Sequence, residues 1–286
     1  MRESVKLVIS TILLMFYTSL SAMNFEASIG AHDFIVSDIK NDTPTDGISA
    51  GTSNTFGINA ALYLKHQTQN NIKFLAKAEV FLDHDKDHLD PDHIPVWFDF
   101  FLDINGPVYN INENNIFLWY VAMDNRQNTV SCIEREVRQH LGIGYEYTKN
   151  GFIIDLNVYA GFYYIEIDDD TPVARGYTRQ DTDDGEASNV LELKAQYEFN
   201  QDWLLYAEAK RYSANMGMDK LEDNVEVHLT YKGNSFLGDG ETLNLKVKYT
   251  KYDFDRFYRN DIGLPIVPFD NDTLVQVYLT LPVDFN

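Results

Sequence analysis

The segment LELKAQYEFNQDWLLYAEAKRY, residues 191–212, decides how this chain folds. Leu191, Leu193, Ala195 and Tyr197 alternate with Glu192, Lys194, Gln196 and Glu198, and after the polar turn FNQD (199–202) the alternation resumes through Glu208 and Lys210. A period of two is the mark of a β-strand, whose successive side chains point to opposite faces. It does not say which face is wet. A soluble sheet buries its apolar face on a core, whereas a transmembrane barrel turns that face to lipid and lines a lumen with the polar one.

The same alternation recurs along the chain. Val225, Val227, Leu229 and Tyr231 oppose Glu226, His228, Thr230 and Lys232, and Leu243, Leu245, Val247 and Tyr249 oppose Asn244, Lys246, Lys248 and Thr250. Ile154, Leu156, Val158 and Ala160 oppose Asp155, Asn157 and Tyr159 in the same way. About twelve such segments follow one another, near 24–36, 54–66, 71–82, 96–104, 115–123, 135–147, 151–167, 188–199, 203–213, 223–232, 242–254 and 273–285, with no convincing helical period between them. Each is close to the ~9–11 residues that a tilted membrane strand needs.

The connections alternate in length. Short turns at QTQNN (67–71), TKNG (148–151) and FNQD (199–202) interleave with acidic loops at 83–95, 168–187 and 253–272. Short turns on one side and long loops on the other predict an all-β fold, an antiparallel up-and-down transmembrane β-barrel of about 12 strands occupying residues 23–286. A soluble β-sandwich explains the alternation equally well but not the loop lengths. Asn105-Gly106 reads as a hairpin turn in its own right and would change the count. Aromatics gather near strand ends, Phe25, Tyr147, Phe152, Phe199, Trp203 and Phe285 at one rim and Phe81, Trp97, Tyr252 and Tyr258 at the other, as interfacial girdles would.

The chain opens MRESVKLVISTILLMFYTSLSA, in which Arg2 and Lys6 precede an apolar run from Leu7 to Tyr17 and small residues end at Ala22. This predicts a secretory signal peptide over residues 1–22, because the run falls short of the ~20 residues of a spanning helix. Its removal takes Arg2, Lys6 and Glu3 and moves the formal net charge from −21 to about −22. So acidic a chain is not a nucleic-acid partner, and its 44% hydrophobic content excludes disorder. The single cysteine, Cys132, forms no intramolecular disulfide, and in the polar stretch RQNTVSCIERE it reads as a loop residue rather than a nucleophile.

The polar face of these strands supplies the candidate pore-lining residues: Lys73, Lys77, Glu79, Asp99, Asp103, Arg138, His140, Glu146, Asp155, Asn157, Glu192, Lys194, Gln196, Glu198, Glu208, Lys210, Glu226, His228, Lys246 and Lys248. So many charges of both signs in a dry interior would be costly, which points to a hydrated lumen. About eight strands enclose only packed side chains and about sixteen leave an open channel, so a barrel of about twelve is either a narrow pore or a plugged scaffold.

The final segment, TLVQVYLTLPVDFN (273–286), resembles the terminal strand by which outer-membrane barrels are recognised for assembly, although Asn286 follows the aromatic residue that usually ends it. The chain looks like a Gram-negative outer-membrane β-barrel of the small-porin class. Within it, WFDFFLDINGPVY (97–109) is similar to a segment of the nucleoside-specific channel family, where WFDF is followed by PV and an aromatic. In that family the segment follows a short turn; here it follows a long acidic loop.

The resemblance implies outer-membrane lipid and lipopolysaccharide as surroundings, and the barrel assembly machinery as a partner of the last strand. The expected function is an outer-membrane, porin-like channel for passive diffusion of small hydrophilic solutes, cation-favouring because acidic loops raise cation concentration at the mouth. The alternatives are a plugged barrel acting as adhesin or scaffold through those loops, or an outer-membrane hydrolase. No enzyme is expected: the Ser placed two residues after a His in the outer-membrane phospholipase family is absent at all seven histidines. No cofactor is expected either. Asp83, Asp85 and Asp87 have the spacing that opens a calcium loop, but His88 stands in place of the required Gly and Ile94 in place of the bidentate Glu, so that motif assigns no metal. The ions the sequence does leave room for are divalent cations bridging acidic loops to lipopolysaccharide phosphates. Chelation with EDTA should therefore lower the thermal unfolding temperature of the membrane-inserted protein, and an unchanged temperature would refute this.

Overall fold

A strand that turns an apolar face to lipid finds no water for its backbone N–H and C=O groups, so every one must pair with a neighbour. Only a closed ring of strands achieves that without leaving an edge. The computed structural model describes residues 23–40, 51–84, 94–129, 132–233 and 238–283. The predicted signal peptide, Asp85, Asp87 and Phe285 lie outside the described residues.

The ring closes with twelve strands, each antiparallel to its sequence neighbours: β1 (Asn24–Ile39), β2 (Gly51–Gln67), β3 (Lys73–Asp83), β4 (Val96–Asn112), β5 (Asn115–Gln127), β6 (Ile133–Lys149), β7 (Phe152–Ile167), β8 (Asp183–Glu198), β9 (Trp203–Ala214), β10 (Asp219–Tyr231), β11 (Thr242–Tyr252) and β12 (Asn271–Val283). Closure is made by β1 against β12, in continuous register from Phe25 opposite Val283 to Ser37 opposite Asn271.

The faces answer the question raised by residues 191–212. Leu62, Leu141, Ile143 and Leu191 are 64%, 65%, 62% and 54% exposed, while Glu192, Gln276 and Asn157 are at most 1% exposed. Apolar side chains are outside and polar ones inside, the arrangement of an outer-membrane barrel.

The strands run longer than a bilayer alone requires. β2, β4 and β6 each have 17 residues. Asn105-Gly106 is therefore not a turn: β4 passes through it to Asn112, and the turn falls at Glu113–Asn114. Gly106 sits directly opposite Trp119, and a Cβ there would lie 2.8 Å from the indole Nε1. The ring covers the position that the glycine leaves bare, which keeps a strand intact through a residue that ordinarily breaks one.

Two further expectations are corrected. Phe81 and Trp97 do not belong to a lipid-facing girdle; both are completely buried in the barrel and their rings stack 3.5 Å apart. Phe81 has the parity of Lys77 and Glu79, so period two sends it inward with them. Tyr252 is likewise buried inside, and Tyr258 lies in the segment after β11. At the opposite rim Tyr197, Phe199 and Trp203 are exposed, with Trp203 against Tyr231 across the β9–β10 pair. The second correction concerns the β11–β12 segment, which is not a purely external acidic loop. Phe254, Phe257, Ile266, Val267 and Phe269 are buried in one apolar cluster with Phe34, Val36, Ile165, Ile167 and Trp97. The mouth at the long-loop end is thereby filled with hydrocarbon.

β6 and β7 approach closely at Gly161, where a Cβ would lie 2.0 Å from the Gln139 carbonyl oxygen. Gly161→Ala must push the ladder apart, at a cost on the order of 1–3 kcal/mol. It should lower the temperature at which the folded, faster-migrating band on electrophoresis converts to the unfolded one; wild-type behaviour would refute so tight an approach.

Candidate functional site

The lumen is layered, and four strands show the order. Descending from the long-loop end, β5 places Arg126 above Asp124, β10 places Glu222 above Asn224 and Glu226, and β12 places Asp272 above Gln276. β11 rises the other way, through Lys246 and Lys248 to Tyr252. Below the apolar plug there is thus a charged layer, and below that a cavity.

The charged layer is a buried network that joins opposite walls. Arg126 donates to Glu136 at 2.8 Å through Nε and pairs with Asp272 at 3.1 Å. Arg138 reaches Glu136 at 3.0 Å and Glu222 at 2.8 Å, and Tyr163 donates its hydroxyl to Glu222 at 2.8 Å. The Tyr252 hydroxyl lies between Glu136 and Asp272, 2.6 and 2.9 Å away. Two guanidiniums hold three carboxylates where no water competes, so the pairs depend on one another. Beside this layer His32 meets Asp83 at 2.6 Å, with the Phe81 ring edge-on to the imidazole. Asp83, one of the three carboxylates considered for calcium, therefore points inward to a histidine.

The cavity below encloses about 420 Å³. Its lining includes Lys73, Lys77, Glu79, Asp99, Asp103, Lys194, Glu208, Lys210, Glu226, His228, Lys246 and Lys248 from the candidate pore residues, with Asp124, Phe101 and Tyr206 in addition. The two sides of this lining differ in charge. Strands β2–β5 contribute Lys73 and Lys77 against Glu79, Asp99, Asp103 and Asp124, an excess of two negative charges. Strands β8–β12 contribute Lys194, Lys210, Lys246 and Lys248 against Glu208 and Glu226, an excess of two positive charges.

Most of these charges are paired along their own wall. Lys77 binds Glu79 at 2.9 Å and Asp99 at 2.7 Å, Lys210 binds Glu208 at 2.6 Å, and Lys246 binds Glu226 at 3.0 Å. Two pairs cross the interior instead: Lys194 on β8 to Asp103 on β4 at 3.3 Å, and Lys248 on β11 to Asp124 on β5 at 3.6 Å.

The remaining candidates face the lumen elsewhere. Arg138 belongs to the charged layer, and His140 bonds Ser188 at 2.7 Å beside it. Glu192 is buried under Lys194, Lys210, Asn157 and Tyr159, with Asn157 donating to it at 2.7 Å. Asp155 lies opposite Glu146 and Lys194 on the flanking strands. Glu146, 3.8 Å from Lys73, borders a second recess of about 440 Å³ at the short-turn end. Gln196 follows Lys194 toward that end, and Glu198 pairs with Lys232 at the rim at 3.1 Å. The alternation in the sequence does not single out Arg126, Asp124, Glu136, Glu222 and Asp272. Arg126, Asp124, Glu222 and Asp272 stand just past the apolar alternation that delimits the strands in sequence, while Glu136 shares the parity of Arg138. Among the described residues one acidic group could converge on a common ion, Asp168, Asp169 and Asp170, and Arg179 already pairs with Asp169.

The chain matches no protein-family model and no curated protein. Among solved structures, the KdgM porin in complex with disordered oligogalacturonate aligns over 91% of this chain and 99% of its own, at 10% identity and a TM-score of 0.42. The translocator domain of the autotransporter NalP from Neisseria meningitidis aligns over 97% and 96%, at 8% identity and a TM-score of 0.43. The TodX monoaromatic hydrocarbon channel deltaS2 mutant aligns over 93% and 91%, at 10% identity and a TM-score of 0.40. These similarities are distant, and the closed barrel stands on its own strand pairing.

The charged layer can be tested by removing one member. Arg138→Met strips Glu136 and Glu222 of their shared cation and should destabilise the barrel by about 3–5 kcal/mol, read as a fall in the midpoint of urea unfolding. Adding Glu222→Gln to that variant should recover part of the loss. A single variant as stable as the wild type would show that the layer carries no such interdependence.

Proposed function

We propose that this chain is an outer-membrane channel for small hydrophilic solutes whose outer mouth is held shut by the β11–β12 segment. The observation that carries the channel reading is the cavity of about 420 Å³, lined by charged side chains within a barrel whose outside is apolar. A purely structural interior gains nothing from keeping a space among charges that is costly to desolvate. The acidic segments around the mouth, among them Asp168–Asp170, Asp181, Asp183 and Asp184, favour cations on approach. Lipopolysaccharide around the barrel and the assembly machinery acting on β12 belong to the same proposal.

The plug is fastened to the β7–β8 segment and to the end of β1 by a few polar contacts and has no strand of its own in the ring, which supports a gate rather than a permanent seal. Arg175 donates to the Pro265 carbonyl at 3.2 Å and to the Lys40 carbonyl at 3.1 Å, and Tyr177 donates to the Leu264 carbonyl at 2.8 Å. Arg259 pairs with Asp181 at 3.0 Å. The Thr178 backbone N–H, with its hydroxyl and Arg259, holds the Asp181 carboxyl below its ordinary range. A carboxyl lowered by folding stabilises above its ordinary range, and that contribution is lost as pH falls through the lowered value. Acid therefore loosens the plug.

The apolar burial of the same segment also favours the second reading, a permanently plugged scaffold or adhesin. Planar-bilayer recording separates them. The wild type should show small, infrequent, cation-selective steps, becoming more frequent in acid, and deletion of residues 259–267 should give steady and larger conductance. A correctly inserted protein that stays silent in both forms would leave the scaffold.

A further inference from the structure

We propose that the mid-lumen cavity binds small zwitterions, solutes carrying one ammonium and one carboxylate or a like pair, by exchanging them for an ion pair that spans the cavity. This deepens the channel reading and rests on it for the route by which the solute arrives.

The argument starts from charge balance. The excess negative charge on one wall and the excess positive charge on the other are met by the two bridges that cross the interior, Lys194 to Asp103 and Lys248 to Asp124. They are not equivalent. Lys194 has a second partner in Glu192 at 3.1 Å, whereas among the described residues the only ion pair of Lys248 is with Asp124, at 3.6 Å, beyond hydrogen-bond reach. The Lys248–Asp124 bridge is the one a solute can open.

What can open it follows from electrostatics. An anion that takes Lys248 leaves Asp124 unpaired in a mostly buried site, and a cation that takes Asp124 strands Lys248. Leaving one charge uncompensated costs more than the new pair returns. A zwitterion replaces both halves at once, its carboxylate on Lys248 and its ammonium on Asp124, and the cavity stays neutral. It also exchanges a contact of 3.6 Å for two that can close to hydrogen-bond distance. The cavity lies within the roughly 300–1,000 Å³ of small-molecule sites, and the Phe101 and Tyr206 rings on its wall offer surface to the carbon skeleton.

The test is isothermal titration of the full barrel in non-ionic detergent with 4-aminobutyrate, butyrate and butylammonium, which match in size and differ in charge. The zwitterion should bind about tenfold or more tightly than either ion. Asp124→Asn frees Lys248 and should turn the preference to butyrate; Lys248→Met should turn it to butylammonium. Each variant is first checked for the folded electrophoretic band, and Asp124→Ser or Lys248→Gln replaces one that fails to fold, so that the same bridge is still the one opened. Equal affinities, tighter binding of either ion, or no binding of any probe to the wild type overturns the proposal. Bilayer recording reads the channel separately. Zwitterion preference in a silent barrel sinks the channel alone, and conductance without preference sinks this site alone.

Discussion

Everything inside this barrel follows from one constraint: a strand in lipid must pair all its backbone polar groups, so the sheet closes and its two faces are given opposite solvents. With the apolar face spent on lipid, the inward face at the depth of the cavity is supplied chiefly by polar and charged side chains. The lumen must be packed with what the other face supplies, and Lys, Glu, Asp and Tyr are large enough to meet across a ring of twelve strands. Their ion pairs take the place of a core. That substitution succeeds only if nearly every charge finds a partner, because removing one member of a buried pair costs far more than the pair contributes.

The plug shows the same constraint from the other side. Where the strands rise above the lipid, their inward face turns apolar, at Phe34, Val36, Ile165 and Ile167. Only there can the chain build an ordinary hydrophobic core, and it draws Ile266, Val267 and Phe269 from the β11–β12 segment to complete it. The barrel thus holds two interiors in series, an apolar one at the mouth and an ionic one at the depth of the membrane. The shared charges of Arg126, Arg138, Glu136, Glu222 and Asp272 form the boundary between them.

How much of this was legible in the sequence depends on how far the period of two extends. Within the lipid-facing stretch the alternation is clean, and it separates Glu192 and Lys194 from Leu191 and Leu193 without ambiguity. It stops being visible where both faces become polar or both apolar. The alternation therefore ends short of the strands' upper ends and does not reach Asp124, Arg126, Glu222 and Asp272. Parity alone would have sent Phe81 and Trp97 inward, since they continue the series of Glu79 and Asp99, but an aromatic near a strand end also fits an interfacial girdle. The plug was masked by its own acids: LPIVPF is apolar, yet it lies between DFDRFYRND and DND. The cross-lumen pairs were not legible, because which inward lysine meets which carboxylate depends on the stagger of twelve strands and not on spacing along any one of them.

The distribution of charge separates two kinds of selection. The formal net charge of −21 does not reside in the cavity, whose six lysines and six carboxylates balance, and acidic side chains crowd the segments at the mouth, among them Asp168–Asp170, Asp181, Asp183 and Asp184. An external potential of that kind fades within a Debye length of about 8 Å at physiological ionic strength. The plug and the charged layer hold the cavity deeper than the surface field acts at full strength. In the channel proposed above, approach is governed by the sign of a solute's net charge and residence by its internal dipole. A solute neutral overall is indifferent to the first filter and suited to the second, which a barrel with one uniform field along its length could not achieve.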